Sequence, residues 1–278
     1  ITPLGKFPRG AKAGNCLHKI LERVNFELSI YSEESSEIIK DELNRSGYEI
    51  NLITDLQKGL NQVLNTNLGE LIGDIQIKNI KTSNRLKELT FDLSLSQKGN
   101  FITAKDISKA FNLNKDHTFS SKYSDLVKSL NINCKGFLTG SIDMIFTNSD
   151  NISTEKWWVA DWKSNFIGKV NDENKAYECG PHNYTPEALK EQMIKNHYPI
   201  QSLIYLVALH RFLSWRLKNY NPYNNLGGYV YIFLRGLPGE INYKNLKSKR
   251  KDVPGIFLDS APVERILYLD KLFREGGE

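Results

Sequence analysis

Two apolar stretches of this sequence each carry an acid where a packed strand would ordinarily carry none. The first reads Gly140-Ser141-Ile142-Asp143-Met144-Ile145-Phe146 and the second Trp158-Val159-Ala160-Asp161-Trp162-Lys163-Ser164. A buried carboxylate without a partner is costly, so Asp143 needs one. The twofold period of a strand sends Asp161 and Lys163 to one face and Trp162 to the other, which brings an acid and an amine to the sheet near Asp143. Two carboxylates at short range repel when both are ionised, and a hard divalent cation relieves this by taking oxygen ligands from each. Magnesium is the expected ion. Such an ion would lower the pKa of a bound water and neutralise charge on a phosphate oxygen, with Lys163 orienting that water or stabilising a pentavalent transition state. The set suits phosphodiester hydrolysis. The plainer alternative is a structural ion pair on an ordinary sheet, Asp161 with Lys163, or Asp143 with a lysine from elsewhere.

These residues need a hairpin to hold them and helices to cover it. Gly136 to Phe146 and Trp157 to Ser164 are apolar segments joined by the turn-rich Thr147 to Ser153, which predicts that hairpin. Ahead of it, Lys87 to Ser96 alternates, with Leu89, Phe91, Leu93 and Leu95 on one side and Glu88, Thr90, Asp92 and Ser94 on the other, a half-buried strand. Leu17, Ile20, Leu21 and Val24 predict a helix over Asn15 to Phe26, with His18 beside its stripe. Two further helices follow within 33 to 67, broken near Ser46-Gly47; one is marked by Ile38, Ile39 and Leu43, the other by Leu52, Leu56, Leu60 and Leu64. Short helices and polar residues should fill 103 to 131, and a polar segment 165 to 183. Thr185 and Pro186 suit the start of a helical region that a break near Pro199 would divide. Its second half, Gln201 to Leu217, is apolar around most of its circumference and should lie in the interior. Gly228 to Arg235 reads as a buried strand and Val263 to Phe273 as a closing helix.

The 278 residues contain neither an internal repeat nor a low-complexity linker, so a single α/β domain over 1–278 is expected, with a helical insertion near residues 30 to 80. At 40% apolar and 25% charged residues the chain can bury a substantial core. No apolar run approaches the roughly 20 residues that span a bilayer, and no secretory signal opens the chain, so the cytoplasm is the expected location. Cys16, Cys134 and Cys179 are scattered without CxxC spacing, which indicates no zinc site, disulfide framework or iron–sulfur cluster. The net charge of +5 permits an anionic partner without pointing to one. The chain starts at Ile1 rather than Met, as a piece of a longer polypeptide would.

Glu88, Asp143 and Asp161-x-Lys163 follow the (E)…D…(D/E)-x-K order of restriction-endonuclease-like, or PD-(D/E)XK, nucleases. Longer words sharpen the likeness: Phe7-Pro8-Arg9-Gly10 with Leu17-His18, Asp161-Trp162-Lys163-Ser164-Asn165, Tyr205-Leu206-Val207-Ala208-Leu209-His210-Arg211-Phe212-Leu213, and Tyr231-Ile232-Phe233-Leu234-Arg235-Gly236. Taken with the Asp143 strand, they resemble the C-terminal nuclease domain of the RecB family, the beta subunit of exodeoxyribonuclease V, in order and over nearly the whole chain. That resemblance implies a mixed central sheet flanked by helices. It also implies a metal site of His18, Asp143 and Asp161, the backbone carbonyl of Trp162 as a further ligand, and Lys163 as catalytic lysine. Gln201 and Tyr205 match the family's motif on the helix after the hairpin, one turn apart, and Glu88 matches its upstream acid. The histidine would admit manganese as well as magnesium. The implied partners are single-stranded DNA from an unwound duplex, a helicase part of the same polypeptide, and RecC-like and RecD-like subunits. The implied setting is recombinational repair of double-strand breaks. No Gly-x-x-x-x-Gly-Lys-Ser/Thr is present, so these residues should not themselves hydrolyse ATP.

Every one of these residues has a plainer role open to it. His18 could be a core or surface histidine, Glu88 a solvated strand residue, and Gln201 and Tyr205 the packing of a buried helix whose tyrosine hydroxyl needs only a partner. Two other readings compete: an AddA-like or stand-alone nuclease of the same fold, and a non-catalytic DNA-binding or docking module. The basic run Lys244 to Lys251 could touch nucleic acid or a partner, or be a solvated loop.

Overall fold

A mixed sheet divides the protein into two helical layers, and each layer buries its own apolar cluster. The computed structural model describes residues 1–96, 99–149, 155–171, 176–240 and 252–277. In chain order the first layer comprises α1 (Pro3–Lys6), α2 (Ala11–Arg23), α3 (Glu33–Arg45) and α4 (Ile53–Leu64). Helix α2 begins four residues ahead of the expected Asn15, directly after Gly10, whose φ of 96° favours glycine. Ser32 caps α3 by accepting from the Ser35 amide, and the helix stops at the anticipated Ser46-Gly47 break. Short 3-10 turns then lead to β1 (Arg85–Leu95).

The second layer is assembled around the strands that follow. These elements are β2 (Ile102–Thr103), α5 (Ala104–Ala110), α6 (Ser121–Lys128), β3 (Asn133–Cys134), β4 (Gly136–Thr147) and β5 (Trp157–Lys163). Next come β6 (Lys169–Asn171), β7 (Ala176–Glu178), α7 (Pro186–Lys195), α8 (Tyr198–Arg216), α9 (Pro222–Asn225), β8 (Leu226–Phe233), β9 (Ile256–Ser260) and α10 (Val263–Glu275). Thr185 caps α7 and Pro186 occupies its first turn, as its sequence predicts. The break before α8 falls at His197, in the left-handed region at φ 54°, so Pro199 sits in the first turn of α8 rather than at the break. From Pro199 to Leu213 that helix is largely buried. The segment 165 to 183 is not wholly irregular, because β6 and β7 pair within it. Strand β9 and helix α1 carry no strong periodic signal and are not anticipated. The basic run Lys244 to Lys251 lies outside the described residues, as does 150–154 of the hairpin turn.

The main sheet has the order β1-β4-β5-β8-β9, with β5 and β8 parallel and the other neighbours antiparallel. Strand β4 pairs with β1 along its length but with β5 only from Met144 to Thr147, so β4 and β5 part at Asp143. The ribbon turns over at the same place. Met144 and Phe146 join the cluster beneath α1 to α4, whereas Ile142 and Ile145 join the cluster beneath α5 to α10. Residues 142 and 144 of one regular strand would face alike. Strand β1 turns with it: Arg85 and Lys87 lie over the Phe26 ring of the first layer, and Leu93 and Leu95 are buried in the second. The pivot is Glu88 opposite Asp143, a pair missing from the ladder, with Glu88 at φ 52°. A non-glycine residue held there costs about 1–2 kcal/mol, which the packing of both flanking segments must offset.

Candidate active site

The fork between β4 and β5 opens a gap in the sheet, and the acids line it. Asp143 stands at the last point before β4 leaves its neighbour. Its Oδ2 accepts from the Trp162 amide at 2.7 Å, and its Oδ1 lies 3.3 Å from His18 Nδ1. Beyond Ala160, strand β5 has no β4 partner, so the Trp162 amide would be unsatisfied without this carboxylate. Amide and carbonyl of one extended residue point to the same side, so the Trp162 carbonyl faces the fork as well. The Trp162 ring goes the other way, edge-on to Phe26 in the first layer.

Asp161 and Lys163 share the opposite face, as the strand period requires. The Lys163 ammonium is 2.5 Å from Asp161 Oδ2 and donates to Gln201 Oε1 at 3.1 Å. It also lies 4.0 Å from the centre of the Tyr198 ring and 5.0 Å from that of Tyr231. Tyr231 and Tyr198 stack, and the Tyr231 hydroxyl donates to Gln201 Oε1 at 2.9 Å. Gln201 Nε2 in turn donates to the Tyr205 hydroxyl at 3.0 Å. Residues 198, 201 and 205 recur at helical spacing, so α8 presents them together. The lysine is thus held by an acid, an amide oxygen and two ring faces.

The electrostatics follow from burial and crowding. Burial pushes the Asp161 carboxyl up to about 6; Lys163 opposes the rise and Asp143 adds to it. Burial alone would lower the His18 imidazole, but its contact with Asp143 and the charge of Asp161 prevail and hold it above its ordinary value. The buried Tyr205 hydroxyl is raised, first by desolvation and then by the charges of Asp161 and Asp143.

His18 reaches the fork because α2 approaches β5 closely. Gly14 lies one turn before it, and a Cβ there would come 2.7 Å from Ser164 Oγ. Arg235 fixes the approach. Its fully buried guanidinium donates to the carbonyls of Leu4, Phe7, Pro8 and Ser164 at 2.6–2.9 Å, tying the segment ahead of α2 to the end of β5.

The structure therefore brings His18, Asp143, Asp161, Trp162, Lys163, Gln201 and Tyr205 together. Glu88 stands across from Asp143, but its carboxylate accepts from Ser141 Oγ at 2.9 Å. His210 bonds the Tyr220 hydroxyl at 2.8 Å, more than two turns along α8 from Gln201. Among the described residues no three His, Cys, Asp or Glu side chains converge as a ready ligand set. Yet the donors suit a hard cation: the Asp143 and Asp161 carboxylates and the His18 imidazole, though not converged, lie near enough to act on one another's charge, and the buried Asp161 Oδ2 receives no well-aligned hydrogen bond. Tyr198, Tyr231 and Arg235 are contributors that residue-level reading does not single out. Tyr198 was accessible through its spacing to Gln201, whereas nothing local marks Arg235 as buried.

No family model matches the chain. It is 31% identical to the RecBCD enzyme subunit RecB of Haemophilus influenzae over 96% of its own length and 19% of that protein's. It is 28% identical to RecB of Mycobacterium tuberculosis, covering 86% of this chain and 22% of the relative, and 25% identical to RecB of Escherichia coli, covering 86% and 18%. The chain is homologous to RecB over most of its length and spans about a fifth of the curated relatives it matches, as a domain of such a protein would.

Proposed function

We propose that this chain is a divalent-metal-dependent DNA nuclease domain of the PD-(D/E)XK type. It would serve as the C-terminal nuclease module of a RecBCD-type helicase-nuclease in recombinational repair of double-strand breaks. The observation that carries this reading is the fork. Asp143 and Asp161 stand where β4 and β5 separate, with Lys163 pinned beside Asp161 by Gln201 and two tyrosine rings. A structural ion pair on a continuous sheet needs neither the gap nor the aromatic box. Homology to RecB supports the helicase-coupled setting, with single-stranded DNA as substrate and RecC-like and RecD-like subunits as partners. Among the described residues no helix is long and apolar enough to cross a membrane.

In this reading His18, Asp143, Asp161 and the Trp162 carbonyl would hold magnesium, and manganese would be tolerated because one donor is an imidazole. A bound divalent cation supplies a water of lowered pKa and neutralises charge on the scissile phosphate. Lys163 keeps its ammonium beside Asp161, where it can hold the attacking water or a phosphate oxygen. Gln201 fixes that ammonium through one hydrogen bond, and its own orientation is fixed by the Tyr205 and Tyr231 hydroxyls. Asp143 positions the Trp162 backbone, so a change there would disturb the main chain as well as the ligand set.

Cleavage of single-stranded DNA with magnesium, manganese or chelator, beside calorimetric titration of the metal, tests the assignment. Metal-dependent cutting by the native chain, lost in Asp161→Ala together with metal binding, is the expected result. Absence of metal binding by the native chain would reduce the site to an ion-pair network and sink the nuclease reading.

A further inference from the structure

Past the pivot, β1 and β4 continue as a two-stranded arm whose two faces differ. One face packs Leu93, Leu95 and Ile142 against the second helical layer. The other is open. It presents the directly opposed pairs Thr90 with Ser141, Asp92 with Thr139, and Ser94 with Phe137. Phe137 is 70% exposed, a large apolar ring set among hydroxyls rather than in an apolar patch. Ser141 joins this face to the fork, since its hydroxyl bonds Glu88 opposite Asp143. At the far end Lys135 lies 5.9 Å from the centre of the half-exposed Phe101 ring.

We propose that this open face carries the single-stranded DNA that enters the fork, with a base stacked on Phe137. This rests on the nuclease reading above. Six residues of strand separate Phe137 from Asp143, about 20 Å, so the ring would hold a nucleotide several positions from the one being cut. The face fits a nucleic acid better than a protein partner. Protein hot spots are aromatic anchors seated in well-packed apolar pockets, whereas here a lone flat ring is bordered by serine and threonine. A ring with hydroxyls and a nearby ammonium is what a base and its backbone use, and stacking accepts every base because each has a π-face. Asp92 lies on this face and Glu88 meets its fork end through Ser141, and both acids weaken the field for a polyanion.

The test separates binding from cutting. Anisotropy of labelled oligothymidylates of about 4 and about 16 nucleotides, lengths that bracket common single-strand sites, is measured in chelator with the 278-residue chain. Phe137→Ala should weaken the longer oligonucleotide by about tenfold, the loss of one stacked base, and leave the shorter one bound at the fork unchanged. Phe137→Trp should restore or tighten binding, and Asp92→Asn should tighten it. Equal affinity of the native chain and Phe137→Ala for the longer strand would overturn the proposal, as would failure of the tryptophan to rescue. Metal-dependent cleavage of the short oligonucleotide, read separately, reports on the nuclease itself, so either idea can fail while the other stands.

Discussion

Replacing Asp161 by asparagine should stabilise the metal-free protein, even though it removes a charge that touches Lys163. The carboxyl is buried, and its value of about 6 lies above the ordinary 3.8. An acid raised on folding costs stability wherever it is ionised, here in full above pH 6 and progressively less as the pH falls through 6 towards 4. The shift corresponds to about 3 kcal/mol at neutral pH. Asparagine relieves that cost but leaves Lys163 with only Gln201 and the two tyrosine rings, so a net gain of about 1–2 kcal/mol is expected, or roughly 2–4 °C in Tm for a chain of this size. Scanning calorimetry in chelator at pH 7.5 and pH 4.5 measures it, and the gain should vanish at the lower pH. With magnesium at about 100 times its Kd the order should reverse, because the native chain gains about 2.7 kcal/mol that the variant cannot collect. A variant less stable than the native chain in chelator at pH 7.5 would refute the account of a carboxylate raised by burial. Equal stabilisation of both by metal would refute ligation by Asp161.

Lys163→Ala should retain the metal-dependent rise in Tm while losing cleavage; losing both would deny the lysine a role separate from the ligands. Tyr231→Phe keeps the ring beside Lys163 but loses the hydroxyl bond to Gln201, so cleavage should fall only a few-fold, whereas Tyr231→Leu also removes a cation–π contact worth about 0.5–2 kcal/mol and should fall about tenfold further. Equal rates for the two variants would dismiss the ring. Arg235→Met leaves four carbonyls without their donor and should cost about 3 kcal/mol or more, seen as a Tm lower by about 6 °C or more. An unchanged Tm would contradict its role in docking α2.

Much of the frame is legible in local pattern because burial imposes it locally. The alternation of β1, the paired apolar words of β4 and β5, and the buried length of α8 each follow from one side facing a core. The shared face of Asp161 and Lys163 needs only the period of a strand. What is not legible depends on two distant segments at once. Glu88 gives no sign that its backbone turns left-handed, since an alternating pattern continues through it; the cause is the ribbon changing cores at that point. Arg235 reads as a polar end to a strand, and only the arrival of residues 4–8 makes it an interior donor. Strand β9 is short and half-buried at the sheet edge, so its residues carry no alternation strong enough to declare it.

The pivot ties these observations to the chemistry. In an unbroken ladder Asp143 would face Asp161 or its neighbour across a closed pair of strands, with both backbones saturated and no room between them. Parting the strands frees the Trp162 amide and carbonyl, turns the β1–β4 arm to a different core, and leaves one side of that arm bare beside the acids. Strain of about 1–2 kcal/mol at Glu88 is small against the apolar burial that the two flanking segments gain by facing separate clusters. The same break in pairing that exposes the acids therefore also creates the surface along which a strand could reach them. That is why the site and the open arm are better treated as one device than as two.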